Sequence, residues 1–367
     1  MTGLLHDWSA WMWGVTWQVA LLVAAIWLVD RALRGRGWAG LRLALWTLVF
    51  VKLVLPASLA SPIGVAAAVL PEQAIASPQA APTGVGTEAT LFALWAIGIL
   101  LIAIRSLRTR CDIRRVILAT ASPASRSIAA LATRAAQRLG LRKTPRVMVS
   151  SAAHRSGAAV VGILRPVVII PPQFLDADRA EEAEHVLLHE FAHIRRGDPW
   201  TAAAVKVLRT LFWFHPLVAL AARRVNCLRE ICCDGAVTAV LGDRSESYRN
   251  TVLRAARELV DGRSPAPALA MAPEAAALID RLRALEATSQ TGAAQRRIVT
   301  TLVVLFTSAC VMPMAPSVAE IDPLLMHARQ TLRDVAAGNN DSGCLSARYA
   351  ALYLAANSST RKEGNTR

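Results

Sequence analysis

The chain contains few charged residues and almost no lysine. Charged residues make up 18% of its 367 residues, whereas an ordinary soluble domain has about 25%. Hydrophobic residues make up 54%, and the mean hydropathy is +0.38. A disordered or fibrous chain is excluded, because neither class has so many apolar side chains. This composition also disfavours a protein that is soluble over its whole length.

The scarcity of lysine means that arginine carries almost all of the net charge of +15. The four lysines are Lys52, Lys143, Lys206 and Lys362. A strongly basic chain suggests a nucleic-acid-binding protein, but no recognised DNA-binding motif is present. The arginines lie instead at the ends of apolar segments and along predicted helices. We therefore expect no direct nucleic-acid binding and interpret the charge as a signal of membrane topology.

Four apolar segments are long enough, or nearly long enough, to cross the roughly 30 Å of hydrocarbon in a bilayer. They cover residues 11–29, 41–55, 89–104 and 298–316. The second is the shortest and carries Arg42 and Lys52 near its ends, where both side chains can reach the interfaces. The sequence therefore predicts a polytopic membrane protein with about four transmembrane helices. The first is predicted to be an anchor and not a removed signal peptide.

Basic residues are absent from segments 1–10 and 56–88. They cluster on the other side of the apolar segments, at Arg31, Arg34, Arg36, Arg105, Arg108, Arg110, Arg114, Arg115, Arg296 and Arg297. The positive-inside rule then places the N-terminus outside, with residues 1–104 forming a membrane domain that has an external loop at 56–88. It places residues 105–297 in the cytoplasm and a short tail, residues 317–367, outside.

Short strands are predicted in the middle of the cytoplasmic segment. Residues 105–140 have helical character, and β-branched runs separated by Gly and Pro follow at 147–149, 158–161 and 167–170. An exposed edge of such a sheet is a surface that can hold an extended peptide.

Helices are predicted over most of the remaining cytoplasmic segment. The first runs from a cap at Asp176 or Asp178, with Glu181 placed for a capping box, to about Arg196. Further helices are predicted over residues 201–214, 216–241 and 248–260. The chain is therefore predicted to be mainly α, with an α+β cytoplasmic domain that carries a small β-sheet.

The segment His189-Glu190-Phe191-Ala192-His193 lies near the end of that first helix. Residues four apart lie on one face of a helix, so both imidazoles can bind one Zn²⁺ ion. Zinc lowers the pKa of a bound water and polarises the scissile carbonyl of a peptide. Glu190 lies beside the histidines and can accept the proton of that water. We therefore predict a zinc site with His189 and His193 as ligands and Glu190 as the catalytic residue.

A third ligand is predicted on the helix over residues 216–241. Glu230 and Asp234 are four residues apart and lie on the same face of that helix. If this helix packs antiparallel to the H-E-x-x-H helix, Glu230 reaches the metal and Asp234 accepts the other N–H of a ligating histidine. The alternative is that Glu230 is a solvated partner of Arg223 or Arg229.

Three further residues have two interpretations each. Asp198 either supports a ligating histidine or caps the next helix. His215 is either an auxiliary group for the oxyanion or a structural histidine with satisfied hydrogen bonds. His185 lies on the ligand face, but three ligands are already assigned, so we expect a structural role. The six cysteines form no C-x-x-C pair, and we expect most of them to be small buried residues.

These motifs resemble the BlaR/MecR-type membrane zinc metallopeptidases, the antirepressor sensors of β-lactam resistance. The matching segments are His189-Glu190-Phe191-Ala192-His193-Ile194-Arg195-Arg196-Gly197-Asp198, Phe214-His215-Pro216 and Arg229-Glu230-Ile231-Cys232-Cys233-Asp234. Upstream, Gly162-Ile163-Leu164-Arg165-Pro166 before Ile169-Ile170-Pro171 resembles the strand pair that leads to the zinc helix of the family. The resemblance covers roughly residues 1–316 and is most specific over 146–260.

The resemblance implies a gluzincin-like metallopeptidase domain on the cytoplasmic side of a bacterial inner membrane. It implies one zinc ion per chain, with His189, His193 and Glu230 as ligands and Glu190 as the catalytic residue. The implied function is signal transduction, in which the protein substrate is a cytoplasmic winged-helix repressor. The chain itself is a second implied substrate.

The C-terminal region departs from the antibiotic sensors. Those proteins carry a large extracellular penicillin-binding domain after the fourth span, whereas 51 residues follow Pro316 here. These include Ser359-Thr360-Arg361-Lys362, an S-x-x-K pattern that we attribute to chance, because so short a tail cannot build a serine acyl-transferase fold. We therefore expect a family member that is poor in sensor domains, or a truncated chain.

Two other functions fit the same motifs. The chain could be a quality-control peptidase for misfolded membrane proteins, like the membrane gluzincins that also pair H-E-x-x-H with E-x-x-x-D. The sequence around His215 favours the signalling function instead. A non-enzymatic signal transducer with a vestigial site is the other alternative, but the complete ligand set and Glu190 argue against it.

Overall fold

The computed structural model describes residues 2–35, 37–55, 85–151, 157–260, 268–286 and 301. In this part the chain is mainly helical with one small mixed sheet, which confirms the predicted fold class at that level. The helices are α1 (Thr2–Leu33), α2 (Ala39–Val54), α3 (Val85–Thr120), α4 (Arg126–Arg138), α5 (Ala180–Arg196), α6 (Asp198–Leu211), α7 (Pro216–Leu241), α8 (Ser245–Val260) and α9 (Ala268–Glu286). The strands are β1 (Ala121–Pro123), β2 (Arg146–Ser150), β3 (Ala159–Val161) and β4 (Val167–Ile170).

The sheet has the strand order β1–β2–β4–β3, so that β4 lies inside it and β3 forms one edge. β2 and β4 pair in parallel, whereas β1 and β3 pair antiparallel to their neighbours. β-branched side chains suit this pleated, half-buried surface, and Val168 and Ile170 of β4 are buried. The three β-branched runs of the sequence thus form β2, β3 and β4.

The prediction of helical structure throughout residues 105–140 is wrong between α3 and α4. Pro123 has no amide hydrogen and is unsuited to a helix interior, and Ala121–Pro123 pairs with residues 148–150 of β2 instead. Thr120 Oγ1 lies 2.6 Å from Ser150 Oγ where α3 ends and β1 begins. α4 then starts after Ser125, whose hydroxyl accepts a hydrogen bond from the Ile128 amide.

α5 runs through the hydrophobic core of the part that follows α3. Leu187, Leu188 and Phe191 are fully buried, and they belong to a cluster with side chains of α4, β2, β4, α7 and α8. Burying a side chain of this size stabilises a fold by roughly 1.5–3 kcal/mol. The helix that carries the H-E-x-x-H segment is therefore fixed on several sides.

The two ends of α5 differ in how well the sequence predicts them. The helix ends at Arg196, as predicted, because Gly197 adopts a left-handed conformation with φ of +72°, which a residue without a Cβ adopts readily. The predicted cap at Asp176 or Asp178 is wrong. A 3₁₀ turn intervenes, and Arg179 occupies the N-cap position without a side-chain cap hydrogen bond.

Two helices within the described residues are long and apolar enough to cross a membrane, by length and composition alone. These candidate spans are Leu5–Leu33 in α1 and Gly86–Ile117 in α3, and they contain the first and third predicted segments. α2 covers the second predicted segment but has 16 residues, fewer than the roughly 20 that a straight crossing needs. The predicted fourth segment lies outside the described residues apart from Thr301, as do the tail at 317–367 and most of the predicted loop at 56–88.

A buried ion pair joins α1 to α2. Asp30 is fully buried and accepts hydrogen bonds from Arg42 Nε at 2.7 Å and Arg42 Nη2 at 3.4 Å. Removing one partner of a buried pair typically costs about 3–5 kcal/mol, so this contact fixes the two helices together. α2 in turn packs along α7. The α1–α2 pair therefore supports the helix that carries Glu230.

Candidate metal centre

Two nitrogen donors and one carboxylate converge between α5 and α7. His189 Nε2 lies 3.2 Å from Glu230 Oε2, and His193 Nε2 lies 3.5 Å from Glu230 Oε1. The ligand atoms of the three residues all lie within 4.8 Å of one another. α5 presents both histidines on one face, and α7 packs against α5. The structure thus brings together the three residues that the sequence assigns to the metal.

His193 is oriented through its other ring nitrogen. Nδ1 lies 2.8 Å from Oδ2 of Asp198, the first residue of α6, and both side chains are buried. Because a carboxylate only accepts hydrogen bonds, Nδ1 carries a hydrogen towards Asp198, and Nε2 is the ring nitrogen that faces Glu230. Arg196 and Arg229 lie 3.5 and 3.6 Å from the same carboxylate. This geometry matches the supporting role for Asp198, since Gly197 occupies the N-cap position of α6.

His189 is oriented by a network of two buried groups, Asp234 and Tyr248, and the half-buried Arg281. Its Nδ1 lies 3.2 Å from Asp234 Oδ1 and 3.0 Å from the hydroxyl of Tyr248. Tyr248 donates to that same oxygen of Asp234 at 2.6 Å, and Arg281 donates to both oxygens from Nε and Nη2 at 2.8 Å each. The carboxylate that faces His189 is therefore bonded on both of its oxygens, which fixes its position.

Three residues that contact these groups were not predicted from the sequence: Tyr248, Arg281 and Cys233. Arg281 reaches the site from α9, 47 residues after Asp234, and its Nη1 also lies 3.6 Å from Glu230 Oε2. No local spacing indicates such a contact. Cys233 Sγ lies 3.3 Å from His193 Nδ1 and 3.4 Å from Asp198 Oδ2. Its position three residues after Glu230, on the same face of α7, is the one signal that could have identified it.

Opposite charges and burial together set the protonation of these groups. Burial alone lowers the pKa of His189, but hydrogen bonds with Asp234 and Glu230 outweigh burial and raise that pKa to about 10. Burial raises the pKa of a carboxyl group, yet hydrogen bonds to both histidines hold the pKa of Glu230 well below its usual range. Hydrogen bonds to His189 and Arg281 do the same for Asp234. The site therefore attracts positive charge, and imidazole nitrogens with a carboxylate form a donor set that fits a divalent zinc ion.

Glu190 lies directly after the first histidine on α5 and is buried. Burial raises the pKa of its carboxyl group, while the nearby His189 and His193 lower it. Among the residues that the structure describes, it forms no hydrogen bond or ion pair. The site thus contains one carboxylate that orients no neighbour and is available for proton transfer.

His185 and His215 have other partners. His185 is fully buried, and its Nδ1 lies 2.8 Å from Thr251 Oγ1 on α8. His215 occupies the N-cap position of α7, and its Nε2 lies 3.4 Å from the backbone oxygen of Thr16 in α1. The structure does not bring His215 into contact with the three donor residues, and its auxiliary role stays a prediction.

Comparison with known proteins places these residues in a family. The family model described as BlaR1 peptidase M56 matches residues 10–285. The chain is 23% identical to the regulatory protein BlaR1 of Bacillus licheniformis over 168 residues, which cover 46% of this chain and 28% of that protein. It is 23% identical to the methicillin resistance mecR1 protein of Staphylococcus aureus over 103 residues, which cover 28% of this chain and 17% of that protein.

The matched region therefore spans less than a third of the length of either relative. The family model, in contrast, covers well over half of this chain and includes every predicted site residue. The resemblance seen in the motifs is thereby confirmed, and the chain belongs to the BlaR1 peptidase M56 family.

Proposed function

We propose that the chain is a membrane-bound zinc endopeptidase, with one zinc ion held by His189, His193 and Glu230. α1 and α3 are among its membrane spans, and the peptidase domain, residues 105–297, lies in the cytoplasm at the inner membrane of a bacterium. Its role is signal transduction, in which it hydrolyses a cytoplasmic winged-helix repressor and also the chain itself. The description of BlaR1 as a regulatory protein supports this role.

The orientation of both histidines is the observation that carries the proposal. Each ring turns its Nδ1 towards a buried aspartate. His193 is hydrogen-bonded to Asp198, whereas His189 lies 3.2 Å from Asp234 and is hydrogen-bonded to Tyr248, which donates to that aspartate. Carboxylate–histidine pairs of this kind are typical of metal sites, because they fix the ring and raise the basicity of the free nitrogen. Both Nε2 atoms then face the carboxylate of Glu230.

Different parts of the chain would hold the metal, transfer the proton and bind the substrate. Bound here, zinc would lower the pKa of a coordinated water and polarise the scissile carbonyl. Glu190 accepts a proton from the attacking water on its free carboxylate and delivers it to the amide nitrogen that leaves. Strand β3 forms an edge of the sheet and contacts α5, so its backbone can hold an extended substrate segment beside the site.

The full chain in lipid nanodiscs tests the proposal. We expect about one zinc per chain by elemental mass spectrometry. We also expect cleavage of the chain itself, and of casein as a general protein substrate, that stops with a chelator and returns with zinc. A small winged-helix repressor encoded beside this chain is the specific substrate to test. A chain that binds zinc but cleaves none of these proteins contradicts the peptidase function.

Replacing Asp198 by asparagine is expected to weaken zinc binding by about 10- to 100-fold. The amide still accepts a hydrogen bond from His193, but it lacks the negative charge that raises the basicity of the ring. Competition with a chromogenic chelator measures the affinity. Asp280→Asn is the matched control, since Asp280 pairs with Arg224 and touches none of the proposed ligands. Unchanged affinity in Asp198→Asn would leave Asp198 as a helix-start residue only.

Replacing Arg281 by methionine is expected to weaken zinc binding by about tenfold, because Asp234 loses two hydrogen bonds and orients His189 less well. Arg281→Lys restores part of the effect. Arg224→Met removes the neighbouring ion pair between α7 and α9, at 3.4 Å, and should keep the wild-type affinity. An equal loss in both variants would show that docking of α9 matters and not the contact with Asp234. Tighter binding would show that Arg281 competes with the metal for Glu230.

A further inference from the structure

The corner between α6 and α7, residues 211–216, packs against both candidate spans. Trp95 in α3 donates from Nε1 to the backbone oxygen of Leu211 at 2.8 Å, and Trp213 Nε1 lies 3.4 Å from the backbone oxygen of Trp95. The indole of Trp213 covers Gly98 so closely that an added Cβ would lie 2.5 Å from its ring. This corner is therefore fixed to the turn of α3 that carries Trp95 and Gly98.

Contacts with α1 lie at the same corner. His215 Nε2 lies 3.4 Å from the backbone oxygen of Thr16, and the rings of Phe212 and Trp11 have centroids 5.9 Å apart. Both α1 residues fall in the uncharged run at 11–29, and the α3 contacts fall in the apolar run at 89–104. If α1 and α3 cross the membrane, the corner lies at the depth of the hydrocarbon.

The surface of the corner is suited to lipid. Every exposed side chain between residues 210 and 222 is apolar, and these are Trp213, Phe214 and Pro216. They adjoin α3, whose exposed side chains include Leu94, Ile97 and Leu101, all more than half exposed. A continuous apolar surface of this kind is unusual in water.

Charged residues bound the apolar surface of the corner on both helices. The first exposed charges on either side of the corner are Arg209 on α6 and Arg223 on α7. Arg223 is eight residues after His215 and Arg209 is six residues before it, about 12 Å and at most about 9 Å along a helix, so both lie within about half of the roughly 30 Å hydrocarbon core. Long arginine side chains can extend from such positions to the interface.

We propose that the α6–α7 corner is a re-entrant hairpin that enters the bilayer from the side of the metal centre and contacts lipid acyl chains. The inference rests on the membrane spans of the proposed function, and it places this corner in the bilayer while the rest of the peptidase domain stays on the cytoplasmic side. Glu230 is seven residues after Arg223 on α7, which places it about 10 Å beyond the interface. Peptide substrates are therefore cleaved where they approach the membrane surface.

Photo-crosslinking of the full chain in nanodiscs tests this inference. p-Benzoyl-phenylalanine replaces Phe214, a conservative change at a side chain that is 42% exposed. The same label at Ile97 on α3 is the lipid-facing control. The label at Leu164, which is 82% exposed and precedes β4, is the water-facing control. Melting temperatures equal to wild type establish that each labelled chain is folded.

After illumination, mass spectrometry of the peptides is expected to show lipid adducts at positions 97 and 214 and none at 164. An adduct at 97 without one at 214 overturns the re-entrant hairpin and leaves the spans intact. The absence of an adduct at 97 contradicts the membrane span of α3, and with it the proposed membrane arrangement. Adducts at all three positions also overturn the inference, because the label then fails to separate lipid from water.

Discussion

Replacing Glu190 by glutamine is expected to abolish peptide cleavage while zinc stays bound. A glutamine has nearly the same shape but accepts no proton, and general acid–base groups contribute about 10²- to 10⁴-fold to a rate. The Nε2 atoms of His189 and His193 and the carboxylate of Glu230 are unaffected by this change, since Glu190 forms no hydrogen bond with them. Cleavage of the full chain and of casein, followed together with the zinc content, measures both parts of the prediction.

Glu184→Gln is the matched control for this variant. Glu184 lies on the same helix and pairs with two exposed arginines, Arg138 at 2.5 Å and Arg244 at 3.5 Å. Loss of such an ion pair costs up to about 1 kcal/mol of stability and should leave cleavage intact. Cleavage by Glu190→Gln at the wild-type rate would contradict the role of Glu190, and loss of zinc from it would show a role in metal binding instead.

Replacing His193 by alanine is expected to remove both the zinc and the cleavage. The change deletes one of three donors and leaves Asp198 without its imidazole partner. Bound zinc stabilises the folded chain by an amount that grows with the logarithm of the ratio of free zinc to the Kd, about 4 kcal/mol when free zinc is 1,000 times the Kd. The melting temperature of the wild type should therefore rise with added zinc, whereas that of His193→Ala should not.

His185→Gln separates ligand loss from damage to α5. His185 lies two turns before His193 on the same helix but bonds Thr251, so this variant should lose stability yet keep its zinc and its response to added zinc. A zinc-dependent rise in the melting temperature of His193→Ala equal to that of the wild type would overturn the ligand assignment. A loss of zinc from His185→Gln would extend the site to His185.

The parts of the site that depend on a single helix were predictable from the sequence. His189 and His193 face the same side because a helix turns once in 3.6 residues, and Glu230 shares a face with Asp234 for the same reason. The strands β2, β3 and β4 were equally predictable, because β-branched runs between glycines and prolines favour that conformation. These properties arise within a few residues and need no information about the rest of the chain.

The errors occurred where distant segments compete for the backbone. β1 forms at Ala121–Pro123 because β2 lies alongside and pairs with it. The residues before and after β1 have helical composition, so the sequence alone did not indicate a strand there. The predicted caps at Asp176 and Asp178 failed because a 3₁₀ turn precedes α5. Local propensities of this size are small beside the energy of tertiary packing, which therefore decided both places.

The sequence by itself determined the class of the protein. Its apolar segments, its arginines and the H-E-x-x-H spacing indicated a membrane metallopeptidase, and the family match agrees. Only the tertiary structure decided that Glu230 meets two histidines 41 and 37 residues away, that Arg281 joins Asp234, and that the α6–α7 corner lies against the candidate spans. The physical reason is that helix periodicity is a local property, whereas which faces meet depends on how all the buried surfaces of the chain fit together.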